Sequence, residues 1–327
     1  MSQPVLSVRD LVVHYGRRRK TPPAIDHVSF DIAPGETLGL VGESGSGKST
    51  IGKAILGLQP VTSGSVFLNG VDITKASLRQ RRVSAIDLRV VFQDPYSSLN
   101  PVQTIGETLV EPLRVLRVPK QQQRQRARAA LEAVGLPGDA IDRYPAQFSG
   151  GQRQRVAIAR ALVCDPKVVV LDEPVSALDL STQAQVLNLL ADLRDQRELA
   201  LVFIAHDLGV VRFLSQRVMV LYRGRAMEAG DVEAVTQEPR HPYTVALTAA
   251  APVPHPAEQE TRRAAREALG IGVAGTADAA AAGCPFASRC PLVVDECRRS
   301  RPPLTRVGDS LAACHRVGEV PALLTTR

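Results

Sequence analysis

The sequence predicts an α/β protein built on a parallel sheet, with an N-terminal antiparallel β subdomain, an inserted helical subdomain and a small C-terminal cysteine module. Residues 37–41 (TLGLV), 168–171 (VVVL) and 200–204 (ALVFI) are uninterrupted apolar runs, as expected of strands covered by helices on both faces. Helical periodicity lies between and beyond them. Val186, Leu189, Leu190 and Leu193 recur at i, i+3, i+4 and i+7, and Val156, Ala159 and Val163 form a similar stripe after residue 151. Near the N-terminus the pattern is alternating instead: Leu6, Val8 and Leu11 share one face of 5–13, and 28–32 (VSFDI) and 65–68 (SVFL) behave alike. Those segments predict the antiparallel subdomain.

The inserted helical subdomain spans about 100–165, and its part from 100 to 147 is purely helical in pattern and rich in Arg and Gln. Pro239, Pro242, Pro252, Pro254 and Pro256 then break up the chain. The main domain is expected over 1–255, an Ala- and Gly-rich linker over 256–283, and the cysteine module over 284–327.

Composition narrows the function. No stretch of the 327 residues approaches the roughly 18–20 consecutive apolar residues that cross a bilayer. The opening MSQPVLSVRDLVVHYG reads as a strand rather than a signal sequence, so a cytosolic protein is expected. The net charge of +7 suits phosphates or an anionic membrane surface. Most arginines, however, fall in stretches such as 120–132 (KQQQRQRARAALE), where a solvated helix face explains them. Four of the five cysteines follow residue 283, and in a reducing compartment a metal site there is favoured over disulfides.

Gly42-Glu43-Ser44-Gly45-Ser46-Gly47-Lys48-Ser49-Thr50 fits G-x-x-x-x-G-K-[ST], directly after the run 37–41 and before an apolar helix beginning near Ser49. The glycines let backbone N–H groups turn inward around phosphates, the helix N-terminus adds partial positive charge, Lys48 reaches the β and γ phosphates, and the Ser49 hydroxyl takes Mg²⁺. A plain strand–helix connector would not need Lys-Ser at that offset. A carboxylate at the end of a neighbouring buried strand is the other half of such an NTPase site. Asp172 supplies it for Mg²⁺, and Glu173, just beyond the strand, is placed to polarise the attacking water. An Asp-Glu pair can simply open a loop, but Pro174 and the periodic helix after Asp179 make this a strand–turn–helix unit.

Phe148-Ser149-Gly150-Gly151-Gln152-Arg153-Gln154-Arg155 resembles the signature sequence of ABC-type ATPases, with Phe where the family usually has Leu. A Ser-Gly-Gly turn opening a helix is a second anion-binding terminus. The resemblance implies an ABC-type P-loop NTPase core, in which the signature of one subunit closes over the nucleotide held by another. It further implies that Tyr15 stacks on adenine, that Gln93 touches Mg²⁺, that Ser176-Ala177-Leu178-Asp179 is a dimer-contact loop, and that His206 contacts the γ phosphate. A lone His after a strand would otherwise read as structural. The stretches 93–101 (QDPYSSLNP), 173–179 (EPVSALD) and 241–244 (HPYT) narrow the resemblance to the oligopeptide/dipeptide and nickel importer branch, and to the second of its two ATPases. Residues 257–283 depart from that branch, carrying alanines where it often has a Pro-rich segment.

Cys284, Cys290, Cys297 and Cys314 have five, six and sixteen residues between them, so no C-x-x-C zinc knuckle is formed. Spacing leaves an iron–sulfur cluster, zinc and free thiols open, and the resemblance implies a 4Fe-4S cluster. Cys164 reads as a small buried hydrophobe.

The resemblance as a whole implies an ATP hydrolase powering import of oligopeptides or dipeptides from the cytoplasmic face of the cell membrane. Its partners would be a second ATPase subunit, two permease subunits and an extracytoplasmic binding protein, with no nucleic acid. A nickel or other small-solute importer is the alternative within the branch. A soluble ABC-type regulator is the alternative outside it, but such proteins usually carry two nucleotide domains or a long coiled-coil insertion, and neither is visible. An iron–sulfur sensor with a vestigial ATPase is disfavoured because no catalytic residue is missing.

Overall fold

A computed structural model describes residues 3–16, 21–94, 99–250, 282–321 and 323. The chain divides into two compact units, one of Met1–Leu11, Ser29–Thr37 and Ile51–Ile204, the other of Val12–Val28, Leu38–Thr50 and Ala205–Arg327. The predicted linker 256–283 lies almost wholly outside the described residues, as do Pro252, Pro254 and Pro256.

In the first unit, strands β1 (Leu6–Val13), β2 (Ile25–Ile32), β4 (Ser63–Leu68) and β5 (Val71–Asp72) form a sheet in the order β2-β1-β4-β5, β1 and β2 running on into the second unit. The simple alternation expected of 5–13 does not hold. Leu6, Ser7 and Val8 are all buried, Arg9 and Asp10 are exposed, and Leu11–Val13 are buried again. Leu6–Val8 are covered on both faces, and beyond them Asp10, at φ 47°, interrupts the pleat and changes which face each later residue meets.

The same unit holds parallel strands β6 (Leu88–Val91), β7 (Val168–Asp172) and β8 (Ala200–Ile204), with Val91 opposite Leu171 and Leu171 opposite Phe203. The continuous apolar runs at β7 and β8 are buried throughout, except for the half-buried Asp172. Helix α5 (Gly150–Leu162) and helix α6 (Leu180–Arg197) bring Ile158, Leu162, Leu190 and Leu193 against Val169 and Leu171. On α6 the buried stripe is Val186, Leu187, Leu190 and Leu193. Leu189, predicted for that stripe, is only half-buried. The 100–147 stretch is helical, with α3 (Ile105–Val115) and α4 (Lys120–Ala133). The exposed arginines of α4 confirm a solvated face. Helix α2 (Leu78–Asp87) was not legible as a stripe, and a capping box between Ser77 and Gln80 starts it.

In the second unit the order is β11-β12-β10-β9-β3. Strand β3 (Thr37–Val41) runs parallel to β9 (Arg217–Tyr222), β9 is antiparallel to β10 (Arg225–Asp231), and β10 is antiparallel to β12 (Ser310–Ala312). The hairpin of β11 (Thr305–Val307) and β12 thus brings the C-terminal segment into this sheet, with Glu228 opposite Ala312. Pro242 does not break the chain. It is the first residue of a helix, Pro242–Ala250, where a missing N–H is one the helix start leaves unpaired anyway. No described helix is long and apolar enough to cross a membrane.

Candidate active site

In the second unit, buried β3 delivers the chain into the 42–50 loop, and helix α1 (Lys48–Ile55) begins at the lysine. Gly42 has φ 152°, and a Cβ there would lie 2.1 Å from the Leu221 carbonyl oxygen, so the turn admits no side chain. Lys48 is 5% exposed. Its Nζ donates to the carbonyls of Gly42 at 2.8 Å and Glu43 at 3.0 Å, and approaches Ser46 Oγ at 3.5 Å. Ser44 and Gly45 stand at the exposed rim, Gly47 and Ser49 are half-buried, and Ser46 and Thr50 are buried. Tyr15 is 53% exposed, and its hydroxyl is 2.9 Å from Thr50 Oγ1. That contact ties the presented ring to the first turn of α1. His206 is exposed after β8, followed by Asp207, which caps helix α7 (Leu208–Leu214) by accepting the Gly209 N–H at 2.7 Å.

Sequence reasoning missed what holds this loop. The Glu43 N–H donates to the Tyr243 hydroxyl at 2.8 Å, and the Glu43 carboxylate accepts both terminal nitrogens of Arg289 at 2.9 Å. The sequence points to Tyr243 only through the resemblance carried by His-Pro-Tyr-Thr. Nothing in the spacing of Arg289 points at residue 43.

In the first unit, β7 ends at Asp172 and the chain turns at Glu173, whose φ is 49°. Its N–H donates to the Ile204 carbonyl at 3.0 Å, and its carbonyl accepts from the Ser176 hydroxyl at 3.1 Å. Gln93 Nε2 donates to Glu173 Oε2 at 2.9 Å, so these two predicted residues do meet. Ser149 is the N-cap of α5: its hydroxyl accepts the Gln152 N–H, and the Gln152 side chain returns to the Ser149 N–H at 2.9 Å. Gly150 and Gly151 follow as the first helical residues. A Cβ on Gly151 would sit 2.2 Å from Thr182 Cγ2, so the start of α5 touches the start of α6. Asp179 caps α6, accepting from the Thr182 N–H, the Thr182 hydroxyl and the Ser181 hydroxyl. Those bonds, the Thr182 N–H first, hold its carboxyl at about 2.

Cys284, Cys290, Cys297 and Cys314 line one cavity together with His241 and His315. The Cys284 N–H donates to the Cys297 carbonyl at 2.7 Å. Burial first, with the charge of the neighbouring cysteines adding to it and backbone N–H bonds only partly offsetting it, pushes Cys290 up to about 12 and Cys314 up to about 11, and burial also raises Cys284. Among the described residues no group of three or more His, Cys, Asp or Glu is arranged to hold a metal ion. Cys164 is buried, but it is not merely a hydrophobe: its sulfur lies 2.9 Å from an Arg89 guanidinium nitrogen.

A strand–glycine loop–helix carrying a buried lysine, and a strand ending in paired carboxylates, define a phosphate-binding ATPase class. The ABC transporter family model matches residues 25–176, and the model of the oligopeptide/dipeptide transporter C-terminal region matches 227–297. A putative peptide import ATP-binding protein of Brucella ovis is 48% identical, over 93% of this chain and 95% of its own. The oligopeptide transport ATP-binding protein OppF of Escherichia coli K12 is 44% identical, over 92% of each chain. Among solved structures, cbiO1 of Clostridium perfringens, part of the ABC transporter complex cbiONQ, aligns with a TM-score of 0.66 at 27% identity, over 72% of this chain and 91% of its own. A dimeric ATP-binding cassette in a post-hydrolysis state bound to ADP and Pi aligns with a TM-score of 0.62 at 29% identity, over 69% of this chain and 98% of its own. The chain belongs to the ABC transporter family, as an ATP-hydrolysing member of its oligopeptide/dipeptide branch.

Proposed function

We propose that the chain powers uptake of oligopeptides or dipeptides across the cytoplasmic membrane, working at its cytoplasmic face as a peripheral subunit. Residues 1–255 are the nucleotide-binding domain, with its helical subdomain at about 100–165, and 284–327 are the cysteine module, joined by 256–283. The partners are two permease subunits, an extracytoplasmic binding protein and a second ATPase subunit. What supports peptide cargo is the naming of relatives at 44–48% identity across nearly the whole chain.

In this reading the N–H groups of 42–50 and Lys48 bind the phosphates, and Tyr15 stacks on the adenine. Glu173 accepts a proton from water as the water oxygen bonds to the γ phosphorus and the bond to the bridging oxygen breaks, leaving ADP and phosphate. Gln93 holds the Glu173 carboxylate, and that observation carries the assignment of the base. His206 contacts the γ phosphate. Ser149, Gly150, Gly151, Gln152 and Asp179 face the nucleotide of the second ATPase subunit.

Ser49, Gln93 and Asp172 offer a hydroxyl, an amide and a carboxylate, the oxygen donors a hard cation takes, and would hold Mg²⁺. When bound, that ion offsets charge on the β and γ phosphates. The four thiols line one cavity without being grouped as metal ligands among the described residues, so the 4Fe-4S cluster the resemblance implies would have to draw them together, and would then staple a segment with little core of its own. Protein purified without oxygen tests the cluster. About four iron and four sulfide per chain, lost in Cys290→Ser, is expected, and stoichiometric zinc contradicts it. Peptide import is tested by purifying the intact membrane complex and identifying its binding protein's ligand. A nickel chelate in place of peptides contradicts peptide cargo.

A further inference from the structure

Within the second unit, Glu43 of the phosphate loop is gripped by the segment that carries the cysteines. Arg289 Nη1 donates to Glu43 Oε2 and Nη2 to Glu43 Oε1, each at 2.9 Å, the parallel fork a guanidinium makes with a carboxylate. Arg289 is itself held before it reaches the loop. Its side chain is 16% exposed against 44% for Glu43, and its guanidinium lies over the rings of Phe286 and Tyr222 at 5.6 and 5.8 Å from their centroids. Phe286 packs on Tyr243 at 5.3 Å between centroids, and the Tyr243 hydroxyl takes the Glu43 N–H. Residue 43 is therefore tied at side chain and backbone to one aromatic cluster. Two members of that tie, Phe286 and Arg289, stand between Cys284 and Cys290.

A bare carboxylate in a loop that binds phosphates opposes them, since like charges repel most where water is scarce. A loop left to find its bound shape also costs ordering entropy on binding. The Arg289 fork answers both: it neutralises Glu43 and fixes the loop from a rigid cluster. The geometry points to Arg289 as a positioning residue of the nucleotide site, through which the cysteine module sets ATP affinity. This rests on the assignment of residues 42–50 to the phosphates of ATP.

The test uses the full chain in its assembled transporter, measuring ATP affinity, KM and kcat for Arg289→Ala, Glu43→Gln, the double variant and Lys48→Ala. Arg289→Ala is expected to weaken ATP binding about fivefold, with KM rising by a like factor and kcat changing less. Glu43→Gln placed in the Arg289→Ala background is expected to recover part of that loss, because the unpaired charge is gone. A purely structural arginine would show no such rescue. Arg289→Lys keeps the charge without the fork, guards against a misfolded alanine variant, and is expected to lose about twofold. ATP affinity unchanged in Arg289→Ala while Lys48→Ala abolishes binding would overturn the inference alone, and so would a loss that Glu43→Gln does not relieve. Unchanged binding in Lys48→Ala would overturn the phosphate-loop assignment and the inference with it.

Discussion

Gln93 donates through Nε2 to the Glu173 carboxylate at 2.9 Å, and Glu173 sits in the left-handed backbone region at φ 49°. A glutamate gains nothing locally from that conformation, which costs roughly 1–2 kcal/mol for a residue with a Cβ. The Ile204 carbonyl and the Ser176 hydroxyl hold it there. Glu173→Gly is therefore expected to melt at or above the parental temperature while turnover is lost. A lower melting temperature would show that the glutamate is kept for stability instead.

Gln93→Ala removes the donor that aims the carboxylate without removing the carboxylate. Its kcat is expected to fall about tenfold, with affinity for ATP measured without Mg²⁺, where the amide's second role plays no part, within about twofold of the parent. Steady-state kinetics alongside equilibrium nucleotide binding separate the two effects.

Ser149 closes the capping box of α5 with Gln152. Ser149→Ala leaves the Gln152 N–H without its acceptor and is expected to cost about 1 kcal/mol of stability, read as a lowered urea midpoint with an unchanged slope. Because the same hydroxyl is assigned to the second subunit's nucleotide, turnover of the assembled complex should fall as well. Lost stability with full turnover would confine Ser149 to capping.

His241 is buried and accepts the Tyr243 N–H on Nδ1 at 3.0 Å, and burial holds it at about 3, against 6.5 when exposed. With a depressed folded value, its contribution is complete above pH 6.5 and is lost as pH falls towards 3, since only the unfolded chain takes up the proton. His241→Asn keeps an acceptor for the Tyr243 N–H and removes the titration. Its stability deficit relative to the parent should shrink steadily as pH is lowered from 6.5. A deficit independent of pH would refute the buried neutral histidine. Burial raises neighbouring Glu228 to about 7, which adds an opposite slope between its unfolded and folded values. That slope is common to both proteins and cancels in the comparison.

Ser149 to Gln152 are assigned to a partner's nucleotide, so the isolated chain should be a weak ATPase that speeds up on assembly. Turnover per site is to be measured for the chain alone and for the permease complex. Equal rates would remove obligatory coupling from the account.

The apolar runs at 37–41, 168–171 and 200–204 were legible because a strand buried on both faces carries no competing pattern. The phosphate loop was legible because its glycines, lysine and serine are needed at fixed offsets by a local turn. What stayed hidden is non-local or irregular. Asp10 spoils the period of β1 through a backbone choice that no alternation records. The pairing of Glu43 with Arg289 spans 246 residues, and no single-sequence pattern ranks one arginine above the others for it. Arg89 beside the Cys164 sulfur was hidden for the same reason.

The central claim is that this chain turns over ATP through the carboxylate of Glu173, and the most direct measurement is hydrolysis by Glu173→Gln in the assembled transporter, with ATP binding followed in the same preparation. Retained binding with turnover lowered at least about a thousandfold is the predicted result. Hydrolysis at the parental rate would contradict it.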